Sequence, residues 1–445
     1  MRGGAAAPLS SGEGTMSTAE KETRLETSRW SYVAVGFLIN ICLGAVYAFS
    51  VFRPPLQKLW GITATQAGLP FMIFLGTFAL GMALAGPLVE KWGPRKTSLL
   101  GGALVGAGWI LSGFSPNIWI LTLLYGVVGG SGVGVMYGCP IAVSGKWFPD
   151  KKGLAVGLTV MGFGLSALIL APIADSLIGS MGVVRTFTVL GGVFLVLLLV
   201  LALPLRFPPQ GWAPKGCEPA GRGAAAGKGK APVCVFGDLD RGQMVKRGTF
   251  YALWGCYTIG CLAGLMSIGI AKPFGLEVAG VSGSLATLAV SIFAIPNALG
   301  RPLFGWLTDR LTPRYAAALS FGLILLAAAL VYFFGDGSTL LFFVAFVLLY
   351  LNLGGWLAIA PTATATFFGT KHYARNYGIV FTAYGVGAIL GSILSGMIRD
   401  ATGSYLSVFL PVMGLAVVGL VVALVGLNPV AAAPSPEQPG PAARK

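Results

Sequence analysis

Arg301 stands in the middle of the apolar run "IPNALGRPLFGW" (residues 295–306), with Asn297 the one other polar side chain on its turn of helix. A guanidinium does not shed its charge in a protein, so this placement demands compensation. An arginine at the centre of a membrane helix costs about 2.5–3.5 kcal/mol on insertion scales. Two chemistries meet that demand. The side chain snorkels to water or bonds backbone carbonyls, or it holds a carboxylate through its two-pronged fork. An ionisable residue inside an apolar span is a functional site by default, which makes Arg301 the candidate anion-binding residue. Asn297, four residues earlier on the same face, brings a donor and an acceptor. Pro296 removes an amide donor and predicts a kink near Ile292, which aims the pair inward or serves packing.

Other chemistries find little support. His372 is the only histidine, and no pair among the six cysteines has metal-ligand spacing supported by it. The glycine-rich "GVVGGSGVGV" (126–135) lacks the Lys-Ser/Thr ending of a phosphate-binding loop and reads as membrane glycine. No nucleophile or acid/base pair is evident in the spans, so neither an enzyme nor a cofactor is expected. Of the 15 acidic residues, Asp175 alone falls inside a span, close to its outer end, and Glu277 lies just beyond the seventh. No carboxylate is placed to relay a proton beside Arg301.

The elements that must position Arg301 are membrane helices. The chain is 55% hydrophobic and 10% charged, with 66 glycines in 445 residues, and apolar runs long enough to cross a bilayer recur. Hydropathy predicts spans at 31–53, 65–89, 97–114, 117–141, 153–178 and 185–205, then 249–271, 284–306, 315–334, 338–364, 376–398 and 404–427. The expected domains are an N-terminal tail (1–30), a six-helix bundle (31–205), a linker (206–248), a second bundle (249–427) and a C-terminal tail (428–445). The first span starts too late, and is followed by too many others, to be a cleaved signal peptide. The Gly/Ala/Pro-rich ends "MRGGAAAPLSSGEG" and "PVAAAPSPEQPGPAARK" are expected to be disordered. Both tails and the linker on one side gather 24 of the 30 Lys+Arg residues there. The positive-inside rule then makes both termini cytoplasmic, in a multi-pass protein of the cell (inner) membrane. The net charge of +15 reflects that bias, and the expected partners are the lipid bilayer and a small molecule, with no nucleic acid.

The halves repeat. "GPLVEKWGPRK" (86–96) and "GWLTDRLTPRY" (305–315) share a glycine, an acid four residues on, a base next and a closing Pro-Arg. Parallel six-helix repeats around a midplane site are the layout of a rocking transporter. This element resembles the signature loop of the major facilitator superfamily, which implies twelve helices in two six-helix pseudo-repeats and, by default, a monomer. Gly86 and Gly305 are expected to allow tight helix approach, and Glu90 and Asp309 to cap or pair at a helix end. The first copy carries Lys91 where the family usually has the arginine that the second keeps as Arg310. Arg95 and Arg314 supply charge at the cytoplasmic boundary, as gate elements or as topology determinants.

Within the superfamily, "NICLGAVYAFSVFRPPL" (40–56), "VMYGCPIAVSGKWFPDKKGLAVGL" (135–158) and "PNALGRPLFGW" (296–306) resemble the oxalate:formate antiporter family and its monocarboxylate-transporting relatives. The resemblance implies that Tyr137 faces the cavity, with Phe163 at an aromatic position, Leu43 where the oxalate carrier has another tyrosine, and Trp356 as a further lining candidate. Tyr384 falls where that carrier has a second cation, a lysine. Asn297 replaces an acid usual in proton-coupled relatives. A dianion wants two compensating charges and this site offers one, so the expected substrate is a monocarboxylate such as lactate, pyruvate or formate. Oxalate is the second reading, and a non-transporting sensor on the same fold a third.

Overall fold

A straight helix of 49 residues, the length of α3 (Ala64–Ser112), would extend about 73 Å, more than twice the ~30 Å apolar core of a bilayer. In the computed structural model α3 is two helices meeting at Gly93 (φ 77°, ψ 169°), a backbone region open to glycine. The 52-residue α10 (Gly283–Phe334) is likewise two helices meeting at Thr312 (φ 71°, ψ 157°). The structure describes residues 18–148, 152–209, 238–369 and 372–427. Both loops that repeat in sequence thus make the same turn, one with glycine and one without.

Thr312 is the one non-glycine residue with positive φ among the described residues. That region is essentially restricted to glycine and costs about 1–3 kcal/mol when a side chain occupies it. Thr312→Gly is expected to stabilise the protein by about 1 kcal/mol after glycine's extra unfolded-state entropy. Thermal unfolding in detergent measures this, and a lowered midpoint would refute the strain.

The remaining helices follow in order. α1 (Thr18–Leu43) runs on as a 3-10 segment (Gly44–Val51) and is followed by α2 (Arg53–Trp60). The fourth span joins α4 (Ile118–Leu121), a π-helical stretch (Thr122–Gly129) and α5 (Gly130–Trp147). α6 (Lys152–Met181) and α7 (Val183–Ala202) complete the first half. After the short α8 (Arg241–Met244), the second half holds α9 (Gly248–Glu277), α10, α11 (Thr339–Phe368), α12 (Tyr373–Val380), α13 (Thr382–Thr402) and α14 (Phe409–Gly426). Side chains set several starts: Thr63 and Gln66 form a reciprocal capping box on α3, and Asn117, Ser282 and Ser338 cap α4, α10 and α11.

Among the described residues, ten helices are long and apolar enough to cross a membrane. α10 counts there once although it holds two predicted segments, and the leg of α3 beyond Gly93 supplies another. All twelve predicted segments fall on helix, with shifted ends. α1 begins at Thr18, well before the expected residue 31. The predicted disordered ends, and residues 210–237 of the linker, lie outside the described residues. α10 keeps helical dihedral angles through Pro296, and its non-helical residue is Thr312.

The halves meet along two seams, α3 against α13 and α6 against α10. Small residues bring the backbones close at points along both. A Cβ on Gly385 would lie 2.7 Å from the Ala79 Cβ, one on Gly396 2.5 Å from the Thr65 Cα, and one on Gly164 3.1 Å from the Ala298 Cα. Side chains are absent where the backbones must approach. The end of the bundle where α1 starts and α7 finishes is called the near end below, and the opposite end, where α1 passes into α2, the far end.

Candidate functional site

Arg301 lies on α10 at the seam with α6 and is 6% exposed. One guanidinium nitrogen, Nη1, donates to the Val160 carbonyl of α6. Nε and Nη2 are buried and have no partner. Leaving a buried charged donor unmade costs on the order of 1–3 kcal/mol or more. The carbonyl bond anticipated in the snorkelling alternative is therefore present, and it satisfies only part of the fork.

Two tyrosines of the first half, Tyr47 and Tyr137, lie within electrostatic reach of this arginine and belong to an aromatic cluster drawn from both halves. The Tyr47 hydroxyl hydrogen-bonds the Tyr384 hydroxyl across the halves at 2.9 Å. The Phe163 ring centroid is 4.9 Å from that of Tyr47 and 5.4 Å from that of Tyr137. Phe78 of α3 closes the group, 5.1 Å from Tyr137 and 5.7 Å from Tyr384. Phe381, between α12 and α13, stacks on Tyr384 at 5.0 Å. The result is a cage of apolar walls, three tyrosine hydroxyls and one incompletely bonded cation. Such a site suits an anion with one carboxylate and a small apolar or hydroxylated remainder.

Of the residues picked from sequence, Arg301, Tyr137, Phe163 and Tyr384 come together here. Leu43 is buried one turn before Tyr47, and Tyr47 is the first-span residue that reaches the cage. Asn297 is fully buried with both amide atoms unpaired, and it packs against α11. A Cβ on Gly354 would sit 3.3 Å from the Asn297 Oδ1. Trp356 is fully buried against Gly260 of α9 and Phe321, and it reaches the cage only through Tyr257, which lies 6.1 Å from Trp356 and 6.4 Å from Phe381. Tyr47, Phe78 and Phe381 were not singled out from sequence.

The signature loops differ from expectation. A Cβ on Gly86 would meet nothing within 4 Å, and one on Gly305 only the Ala358 Cβ at 3.9 Å, so neither glycine serves a tight helix approach. Asp309 is exposed with no side-chain hydrogen bond or ion pair among the described residues, and so it neither caps nor pairs. The Glu90 side chain lies outside the described residues. Arg310 and Arg314 lie over the rings of Trp306 and Tyr315, each 5.3 Å from the centroid. Arg95 borders a cavity of about 360 Å³ with Tyr32 and Arg206, whose Nε donates to the Tyr32 hydroxyl at 2.7 Å. Among the described residues, no atom of the opposite half lies within 4 Å of a Cβ on either glycine.

The far end is tied across the halves instead. Lys272 of α9 pairs with Asp175 of α6. Arg53 of α2 donates to the Gly269 carbonyl of α9 at 2.8 Å. Asp400 of α13 accepts from the first amides of α3, Ala64 at 2.9 Å and Thr65 at 3.1 Å, where a carboxylate also complements the helix dipole. Arg399 pairs with Glu277 at 2.6 Å within the second half.

Comparison with known proteins agrees with this architecture. The sequence model of the Major Facilitator Superfamily matches residues 34–276 and 252–445. The oxalate:formate antiporter of Oxalobacter formigenes is 28% identical over 384 residues, covering 86% of this chain and 88% of that protein. Monocarboxylate transporter 12 of Xenopus laevis is 26% identical over 408 residues, covering 86% and 85%. A solved bacterial homolog of the human lysosomal transporter Spinster, inward-facing and unoccupied, superposes with a TM-score of 0.64 at 19% identity, covering 90% of this chain and 96% of its own. With twin helical halves, seams of small residues and a buried arginine between them, this chain belongs to the Major Facilitator Superfamily of membrane transporters.

Proposed function

We propose that this transporter carries small monocarboxylate anions, of the lactate, pyruvate or formate kind, by alternating access. Arg301 holds the carboxylate. The observation that carries the reading is the buried Arg301 fork with two unpaired donors, inside a cage contributed by both halves. A site shared between halves is broken and remade as they rock, which couples binding to reorientation. The two relatives named for carboxylates support the chemical class.

In this reading the near end is cytoplasmic, because α1 starts and α14 finishes there and the described basic loops gather there. The latched far end then faces outward, and the conformation is closed to the outside. Carboxylic acids with pKa near ~4 are anionic at neutral pH, so the bound species is the anion. Its charge completes the Arg301 fork, and the loaded carrier reorients more easily than the empty one. Asp175 and Glu277, the acids nearest the path, are paired with Lys272 and Arg399. That occupancy supports exchange of one monocarboxylate for another without a dedicated proton-relaying acid.

The test is lactate counterflow in proteoliposomes at equal pH on both sides. Liposomes loaded with unlabelled lactate should accumulate labelled lactate transiently above its external concentration. Saturable binding with no flux would turn the reading toward a sensor. Oxalate remains the second reading because the antiporter relative is named for it. Strong competition by oxalate and formate and weak competition by pyruvate would favour it.

A further inference from the structure

Arg53 is a second buried arginine, 2% exposed, that the binding of substrate at Arg301 leaves unused. Its Nη1 donates to the Gly269 carbonyl and its Nη2 to the Ala64 carbonyl, each at 2.8 Å. Its Nε is buried without a partner. The guanidinium carbon lies 5.9 Å from the ring centroid of Tyr405, whose own hydroxyl is buried and unpaired. Among the described residues no carboxylate meets Arg53. Of the four acids at this end, three are engaged elsewhere, Asp175 by Lys272, Glu277 by Arg399, and Asp400 by the amides that open α3, while Asp336 is exposed in the turn between α10 and α11 and makes no ion pair with Arg53. A buried cation is thus balanced by two carbonyl dipoles and the face of one ring, which compensate a full charge poorly.

One of those carbonyls belongs to the opposite half. When the far end opens, α9 moves away from α2 and α3, and Nη1 loses Gly269. Position 269 is a glycine, and a Cβ there would lie 3.3 Å from the Phe71 ring and 3.8 Å from the Arg53 Nη1, so no side chain screens the carbonyl from the fork. Once parted, the guanidinium faces the opened path with a free nitrogen and an unpaired Nε. The strongest replacement for a lost carbonyl is an anion, whose hydrogen bonds to a cation are about twice as strong as neutral ones. Arg53 follows Tyr47 by six residues, roughly 9–12 Å along the chain, so a carboxylate held there stands one step from the cage.

We propose that Arg53 is a capture site for the carboxylate substrate at the far end of the path, and that anion and latch compete for its guanidinium. With the end closed, Arg53 is bonded to Gly269. With the end open, it draws the anion in and hands it to Arg301. This site rests on the anion-carrier reading above.

The two roles separate by the sign of one measurement in oriented proteoliposomes. Arg53→Gln keeps a donor for Gly269 and removes the charge. Half-saturation for labelled lactate presented at the far end should rise about tenfold, while that at the near end stays within about twofold. Arg53→Lys keeps the charge without the fork and should raise the far-end value about threefold, so the test survives a Gln variant that fails to insert. A latch without capture predicts the opposite, because losing it favours the open far end and lowers the far-end half-saturation. That result, or equal changes at both ends, overturns the proposal while leaving the carrier reading intact. Wild-type protein that transports none of lactate, formate or oxalate overturns both.

Discussion

Arg301→Ala should abolish monocarboxylate uptake, and Arg301→Lys should raise half-saturation by about tenfold or more. A carboxylate on the fork makes two charge-assisted hydrogen bonds, each worth roughly 1.5–3 kcal/mol. Losing both corresponds to at least a hundredfold, whereas lysine keeps the charge and loses the paired geometry. The bond from Arg301 to the Val160 carbonyl allows a structural role, and thermal unfolding separates the two. If the arginine chiefly holds α10 to α6, alanine lowers the melting temperature of the empty protein. If it awaits an anion, alanine removes an under-compensated buried cation, leaves that temperature unchanged or higher, and erases the stabilisation by added lactate. Normal uptake by properly inserted Arg301→Ala protein would refute the site.

Tyr384→Lys should shift selectivity toward dianions. Tyr384 stands 1% exposed in the cage, with its hydroxyl on that of Tyr47. An ammonium there would face Arg301 across the cage and be repelled when the site is empty. One negative charge relieves that repulsion in part, and two relieve it fully. Oxalate affinity should rise relative to lactate by about tenfold, with lactate affinity itself falling. Competition of each acid against labelled lactate reads the ratio. An unchanged ratio in a variant that still binds would show that charge counting at Tyr384 does not set selectivity.

Where Arg301 sits was legible in sequence, because hydropathy locates a span to within a few residues and the Asp309 loop marks its end. Residue facing was harder to read. Tyr47 was missed in favour of Leu43, and the chain changes from α-helix to a 3-10 run between them, at Gly44. A change from 3.6 to 3.0 residues per turn moves every later side chain off the face that α-periodicity assigns. Asn297 is displaced for a smaller reason. Four residues advance about 40° beyond a full turn, and Gly354 leaves the space on α11 that the amide fills. The far-end ties joined residues almost a hundred or more positions apart, such as Asp175 with Lys272 and Arg53 with Gly269, and no local pattern links them. The signature loops were recognisable as motifs, but in the proposed alternating-access reading their latching depends on which end of the carrier is closed. A sequence encodes both conformations at once.

The small-residue seams bear on the kinetics of the proposed alternating-access cycle. Interlocking side chains would act as a ratchet, since each step of sliding would force rotamers out of their wells against close-packed neighbours. At Gly385 and Ala79, at Gly396 and Thr65, and at Gly164 and Ala298, the surfaces are instead nearly smooth backbone. They behave as a plain bearing, with friction spread evenly along the stroke. Resistance to turnover then concentrates in the polar contacts that must be rehydrated at the far end, Lys272 with Asp175, Arg53 with Gly269, and Asp400 with the start of α3. The cycle's timing is set by a few ions exchanging partners with water and not by the apolar bulk that moves with them.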